Sequence, residues 1–185
     1  MDNGPHVCDL IRLFLGDATA AIGYRRRGGE IPGACESEAY ALFRGIDHRI
    51  GEIRTSWSQK HGYLTVDLRG SDGWLKVETA PWRLEGALAD GRAIRRAYFK
   101  ERLGERAFRV RHGTERSLVR ELEAFASTVG ADAPPAATGW DGCRATEMID
   151  AVFRSDASGR EVAVDPLPSM PSFSSRRRAI EERAA

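Results

Sequence analysis

Three polar residues near the start of the chain have a spacing that suits proton transfer. Asp2, His6 and Asp9 stand at positions i, i+4 and i+7 of the stretch MDNGPHVCDLIRLFLGD, which fall within a narrow arc of an α-helix. A histidine oriented by a nearby carboxylate can exchange a proton with a substrate hydroxyl near neutral pH. Spacing alone leaves two other interpretations open. The trio is also typical of the solvated side of a helix with Asp2 as its N-cap, or of metal ligands, although no further His or Cys stands at a ligating spacing.

A helix over roughly residues 4–15 positions this trio. Its apolar residues recur at helical spacing, namely Val7, Leu10, Ile11, Phe14 and Leu15. Gly16 follows where a C-cap glycine belongs, Pro5 suits the first turn, and Asp2 or Asn3 can serve as the N-cap. The polar trio is therefore expected opposite the apolar stripe.

Short strand-like stretches follow between residues 17 and 111. They read ATAAIGY, EAYALFRG, IGEIRTSW, GYLTVDLRG, GWLKVE, WRLEG and FRVRH. Turn residues separate them and no helical pattern intervenes, which predicts an antiparallel sheet rather than βαβ units. In GYLTVDL the apolar residues alternate with polar ones, so one face of that strand is expected to pack and the other to meet water or a partner.

Helical periodicity then returns in two segments. ERSLVRELEAFASTVG predicts a helix with Leu118, Leu122 and Phe125 on its apolar side, Thr114 as N-cap and Gly130 as its stop. DGCRATEMIDAVFRSDASG predicts a second helix that ends at Gly159, and EVAVD a short strand after it. The fold class predicted is α+β with a mostly antiparallel sheet. Residues 1–165 are expected to form one domain, and the Pro-, Ser- and Arg-rich residues 166–185 a flexible tail.

Composition narrows the class of protein further. The 185 residues carry 28 basic and 27 acidic side chains, a net charge of +1, which names no partner. No apolar run approaches the roughly 20 residues that span a bilayer and no secretion signal is evident, so we expect a soluble cytoplasmic protein. Cys8, Cys35 and Cys143 are odd in number and widely spaced, which favours buried free thiols over disulfides or a zinc site.

One basic segment is a candidate anion-binding surface. Residues 92–116 hold nine Lys or Arg and three Glu, with aromatic residues among them, as in surfaces that bind nucleic acid or an anionic ligand. Because the whole chain is not basic, a solvated or subunit-facing segment is favoured. Neither G-x-G-x-x-G nor G-x-x-x-x-G-K-[ST] occurs, so the chain alone is not expected to bind a nucleotide cofactor.

Three stretches together resemble one enzyme family. DNGPHVCDLIRLFLG resembles the start of the second half of the Gfo/Idh/MocA family of NAD(P)-dependent oxidoreductases. The segment from LVRELEAF through DAVFRSDASGREVAV resembles the family's closing pattern of two helices and a short strand. RGSDGWLKVE, between them, resembles its glycine-bracketed hairpin. The resemblance covers residues 2 to about 165.

The resemblance carries implications for fold and site. Family members have an N-terminal Rossmann domain that holds NAD or NADP, and a C-terminal α+β domain whose helices pack on one face of a mostly antiparallel sheet. This chain would correspond to the C-terminal domain. His6 then matches the catalytic acid/base for the substrate hydroxyl, and Asp2 a substrate-orienting or proton-relay partner. The family's catalytic lysine, in a Glu-Lys-Pro motif of the Rossmann domain, has no counterpart here.

Two functions are therefore expected from the resemblance. The first is the substrate-binding domain of an oxidoreductase for sugar, inositol or related polyol hydroxyls, truncated or split so that the chain alone binds no cofactor. The alternative is a non-catalytic assembly module. Such a module would form a homo-oligomer through the open sheet face or dock on a Rossmann-domain partner.

Overall fold

The chain combines helices with two antiparallel sheets. A computed structural model describes residues 3–28, 36–57, 64–79, 82–129, 131, 135 and 137–165. Within them the order is α1 (Gly4–Leu15), β1 (Ala18–Arg27), β2 (Glu36–Gly45), β3 (Ile50–Ser56), β4 (Thr65–Gly70), β5 (Gly73–Thr79), β6 (Trp82–Leu88), β7 (Ala93–Ala97), α2 (Phe99–His112), α3 (Arg116–Thr128), α4 (Gly139–Ser158) and β8 (Val162–Ala163). This confirms the predicted α+β class, although the strands form two four-stranded sheets rather than one.

The chain divides into two compact units. The first comprises residues 1–59 and 132–185, and the second residues 60–131. A single domain over residues 1–165 stays a prediction, and the tail predicted at 166–185 lies outside the described residues.

The core of the first unit lies between one sheet face and two helices. The strand order is β3-β2-β1-β8, and α1 and α4 cover the face on which Ala21 stands opposite Phe43. The buried side chains include Cys8, Leu15, Ala21, Phe43, Ile53, Met148 and Val152. The predicted helix over residues 4–15 is confirmed, because α1 has those bounds.

Close approach between α4 and β1 depends on a glycine. A Cβ added at Gly23 would lie 2.7 Å from the backbone oxygen of Tyr40 and 2.9 Å from Cγ1 of Val152. The helix itself is well delimited. It begins with a capping box between Thr138 and Asp141. As the sequence predicts, it ends at Gly159, which is in the left-handed conformation.

Side chains of α4 also bond to the outer edge of β1. The strand β8 pairs with β1 only at Ala20 and Ala21. Further along, Ser155 Oγ accepts a hydrogen bond from the Gly23 amide at 3.0 Å, and Asp156 Oδ1 accepts one from the Arg25 amide at 3.0 Å. Two backbone donors beyond the short β8 pairing are thereby satisfied.

The second unit is a four-stranded meander followed by α2 and α3. Its strands follow the order β4-β5-β6-β7. Val66, Val77 and Leu84 stand opposite one another on one face, where their side chains are only partly covered. Among the described residues of this unit only Gly86 is buried.

The structure differs from the sequence predictions at FRVRH, at β7, at Cys143 and at the N-cap of α3, which is Glu115 rather than Thr114. FRVRH was expected as a strand but forms the end of α2, because five alternating residues are outweighed by the helix-favouring Lys, Glu, Arg and Leu before them. The strand β7 was not predicted. Cys8 is a buried thiol as expected, but Cys143 is exposed; Cys35 and Gly130 lie outside the described residues.

Candidate functional site

His6 and Asp9 line one open cleft on the surface of α1. The cleft has a volume of about 420 Å³, and its lining residues are His6, Asp9, Leu10, Arg12, Leu13, Ala137 and Asp141. Two members of the predicted trio are thus brought together, and both are exposed. Asp2, the third, lies outside the described residues.

The sequence of α1 explains which side of the helix faces this cleft. Gly4, Cys8 and Leu15 are buried and Ile11 packs against the core. The packed stripe therefore starts with small residues, whereas the prediction counted only larger apolar ones. As a result Leu10 turns towards the cleft, where it joins the exposed Leu13.

Arg12 ties the wall of the cleft to three carboxylates. Its Nε donates to Asp17 Oδ1 at 3.0 Å and its Nη1 to Asp9 Oδ1 at 3.2 Å. Nη1 also donates to the backbone oxygen of Asp141 at 3.3 Å and contacts its carboxylate at 3.4 Å. Because the Arg12 side chain is only 14% exposed, these bonds are partly shielded from water, and they fix α1 to the start of α4.

Asp141 is held in its charged form from two sides. The Thr138 hydroxyl and amide donate to Asp141 Oδ2 at 2.7 Å and 2.8 Å. These bonds, followed by the Arg12 guanidinium, hold the pKa of the Asp141 carboxyl below its usual range. Asp141 therefore caps α4 and anchors Arg12 at once.

A second arginine extends this ion-pair cluster inward. Arg144 is buried, its Nη1 donates to Glu147 and to the backbone oxygen of Asp165, and its Nε lies 3.4 Å from Asp17 Oδ1. Asp17 is shared by Arg12 and Arg144. One wall of the cleft is therefore fixed by charged hydrogen bonds, while the imidazole of His6 is open to solvent.

The cleft combines a titratable imidazole, carboxylates and aliphatic surface. Such a mixture suits a hydroxylated ligand, since the polar groups bond to hydroxyls and Leu10 and Leu13 cover carbon-bound hydrogens. Among the described residues no group of three or more His, Cys, Asp or Glu side chains is placed to hold a metal ion. Within the same part of the chain, no helix has the length and apolar character needed to cross a membrane.

Comparison with the sequence profiles of protein families shows which family this chain belongs to. The sequence profile of the Gfo/Idh/MocA oxidoreductase family, for its C-terminal alpha/beta domain, matches residues 1–164. The chain belongs to this family. The resemblance noted from the DNGPHVCDLIRLFLG start and the closing helices is thereby confirmed.

Solved structures of oxidoreductases share the fold. Levoglucosan dehydrogenase in complex with NADH and L-sorbose superimposes with a TM-score of 0.71 at 16% identity, over 90% of this chain and 50% of that one. An oxidoreductase from Agrobacterium radiobacter in complex with NAD+, L-tartaric acid and magnesium gives 0.68 at 18% identity, over 87% and 47%. The WlbA dehydrogenase from Bordetella pertussis, in complex with NADH and UDP-GlcNAcA, gives 0.64 at 16% identity, over 89% and 46%.

These likenesses establish the fold of the chain and also allow its length to be compared with that of the solved structures. The chain spans about half the length of the structures it resembles. No curated protein sequence matches it.

Proposed function

We propose that this chain is the substrate-binding half of an NAD(P)-linked oxidoreductase that acts on a sugar, inositol or related polyol hydroxyl. The observation that carries the proposal is the position of His6 in an open cleft of a Gfo/Idh/MocA C-terminal domain. Structural relatives in complex with L-sorbose and with UDP-GlcNAcA support a sugar-like substrate. We place its action in the cytoplasm.

His6 is the proposed acid/base. Its imidazole would accept the proton of the substrate hydroxyl during oxidation and return it during reduction, the usual role of a histidine in general acid–base catalysis. Asp2, four residues earlier in the sequence, is proposed to orient the substrate or relay the proton. Asp9, one turn later in the same cleft, bonds to Arg12 and is proposed to hold the wall rather than the proton.

The described cleft does not fit a dinucleotide. A diphosphate is usually held by free backbone amides or unpaired cations at a helix start. Here Pro5 removes one amide from the first turn of α1, and Arg12 is engaged by Asp9, Asp17 and Asp141. We therefore assign NAD or NADP to a Rossmann domain, on another segment or another chain, and assign only substrate and proton handling to these residues.

Calorimetry tests whether this chain binds the substrate and leaves the cofactor to another domain. The chain, titrated with NADH, NADPH, levoglucosan, sorbose and inositol, is expected to bind no cofactor tightly and to bind at least one of the polyols. Tight binding of NADH or NADPH would contradict the assignment of the cofactor to another domain.

Substitution tests the role of His6. In a complex with a Rossmann-domain partner, His6→Ala is expected to lower kcat roughly 10²- to 10⁴-fold, the usual contribution of a general acid/base. His48→Asn is the matched control, because His48 lies in the β2–β3 turn at a positive φ that Asn tolerates. Unchanged turnover in the His6 variant would reject the assignment.

A non-catalytic assembly module is the second candidate. The face of the first sheet that points away from α1 and α4 leaves Tyr24, Tyr40 and Leu42 exposed at its centre. An apolar surface of this kind marks an interface, so the sheet face is proposed to form a homo-oligomer or to dock on a Rossmann-containing partner. Tyr24→Asp should then lower the assembly mass in sedimentation, and an unaltered mass would count against this surface.

A further inference from the structure

The two helices of the second unit each carry an exposed apolar stripe. The α2 stripe consists of Phe99, Leu103 and Val110, and the α3 stripe of Leu118, Leu122 and Phe125 together with Val129, the C-cap residue just past the end of α3. These side chains are between 48% and 82% exposed, and neither helix has a buried residue. Seven large apolar side chains on one short pair of helices form a surface that a partner is expected to cover.

The spacing of the stripes indicates that the partner surface is another helix. Within α3 the stripe advances by four and then three residues, the spacing of a helix that packs along another helix, and Val129 follows at the C-cap. The same advance on α2 runs through Phe99, Leu103, Arg106 and Val110, so its third position is an arginine. A partner for α2 must therefore offer apolar side chains with a carboxylate among them.

The two helices do not cover each other within one chain. Glu105 accepts a hydrogen bond from the Arg116 amide at 2.7 Å, and the Arg116 guanidinium lies over the Phe108 ring at 4.9 Å from its centre. On a helix with 3.6 residues per turn, Glu105 and Phe108 lie on the side of α2 opposite the stripe. The contact with α3 thus directs the α2 stripe outward.

Charge selects which helix can meet the α2 stripe. Lys100, Arg102, Arg106, Arg109 and Arg111 make α2 strongly basic, within a segment of nine basic and three acidic residues. Two α2 helices placed together would bring like charges into contact. The α3 stripe instead has Glu121 on its flank, a carboxylate that can pair with Arg106.

We infer that a second copy of this chain covers both stripes, with α2 of each copy packed along α3 of the other. In this two-fold arrangement each apolar stripe meets the other stripe of the partner, and the basic α2 lies against α3, whose two acidic and two basic residues balance, rather than against a second basic helix. It uses a different surface from the open face of the first sheet, and it does not depend on the proposed dehydrogenase activity.

Opposite charges placed in the two seams test the pairing. Leu103→Glu and Leu122→Lys are each expected to lower the assembly mass of the full chain, measured by light scattering after gel filtration. An equimolar mixture of the two variants is expected to restore it. In the mixed pair the introduced carboxylate on α2 meets the introduced amine on α3, while the second α2–α3 contact consists of native residues.

Ser127 on α3 provides the control variant. Ser127→Lys adds the same charge on the side of α3 away from the stripe and should leave the mass unchanged, and circular dichroism should show equal helix content in all variants. A wild-type chain that stays monomeric, or that stays monomeric and binds anionic vesicles or DNA instead, overturns the inference. Variants that keep the wild-type mass, or a mixture that stays dissociated, overturn the α2-to-α3 pairing.

Discussion

At the scale of single residues, the Asp141 carboxylate links the start of α4 to Arg12 in the wall of the cleft. Its carboxyl is bound by Thr138 and Arg12, and its pKa is lowered. A lowered folded-state pKa stabilises the fold above the unfolded value, and that stability is lost as the pH falls through the folded value. Asp141→Asn should therefore lower the free energy of unfolding by about 1–2 kcal/mol at pH 7. The difference should shrink below pH ~4, as measured by urea unfolding with tryptophan fluorescence.

An exposed carboxylate on α3 provides the control for Asp141. Glu123→Gln replaces an exposed carboxylate and should change the free energy of unfolding by less than about 0.5 kcal/mol. An Asp141→Asn penalty of the same size at both pH values would show that the carboxylate charge is not what holds Arg12 and the capping box.

Residue spacing predicted only part of this site. His6 and Asp9 were found because four or fewer residues separate neighbouring polar positions on one helix. Arg12 and Asp141 were missed, since 129 residues separate them and no local pattern reports that contact. The T-x-x-D spacing of Thr138 and Asp141, which is typical of a capping box, is a local signal for Asp141 that the predictions above did not include. The catalytic roles of His6 and Asp2 stay predictions.

At the scale of elements, Gly23 sets the distance between α4 and β1. Gly23→Ala would push a methyl group into the Tyr40 backbone and Val152, and overpacking of this kind costs about 1–3 kcal/mol of unfolding free energy. Gly142→Ala is the matched change in α4, where an added Cβ meets no atom within 4 Å; it should stabilise by roughly 0.5–1 kcal/mol. Urea titrations of both variants measure the two opposite changes in the free energy of unfolding. Equal changes would contradict the packing argument.

The local sequence pattern predicted helices and strands well wherever the hydrophobic periodicity was sustained. The helices α1, α3 and α4 and the strands β1 to β6 have long or repeated periodicity, and each was predicted close to its observed bounds. The prediction of FRVRH as a strand was wrong because alternation of apolar and polar residues over only five positions also occurs inside a helix. The division into two sheets was not predicted, because strand partners are fixed by long-range register rather than by local sequence.

At the scale of the whole molecule, the two units differ in how much they bury. The first has a core around Phe43 and Met148, whereas the described residues of the second bury only Gly86. Amides of the central strand β6 should therefore exchange with solvent at least about tenfold faster than those of β2, since regions with few buried contacts open more readily. Hydrogen exchange read by mass spectrometry measures this.

The comparison of β2 with β6 is internally controlled. Each strand is hydrogen-bonded to neighbours on both sides, so the difference isolates burial from backbone pairing. Equal protection of β2 and β6 would show that the second unit is stabilised by contacts other than a buried core.

The side chains of Ser155 and Asp156 have a further consequence, for aggregation. An open strand edge presents amides that recruit strands from other chains. On β1 that edge is closed by β8 and then by these two side chains, so an incoming strand finds the Gly23 and Arg25 donors already occupied. Among the described strands of this sheet, intermolecular strand addition is thereby directed to the opposite edge, β3.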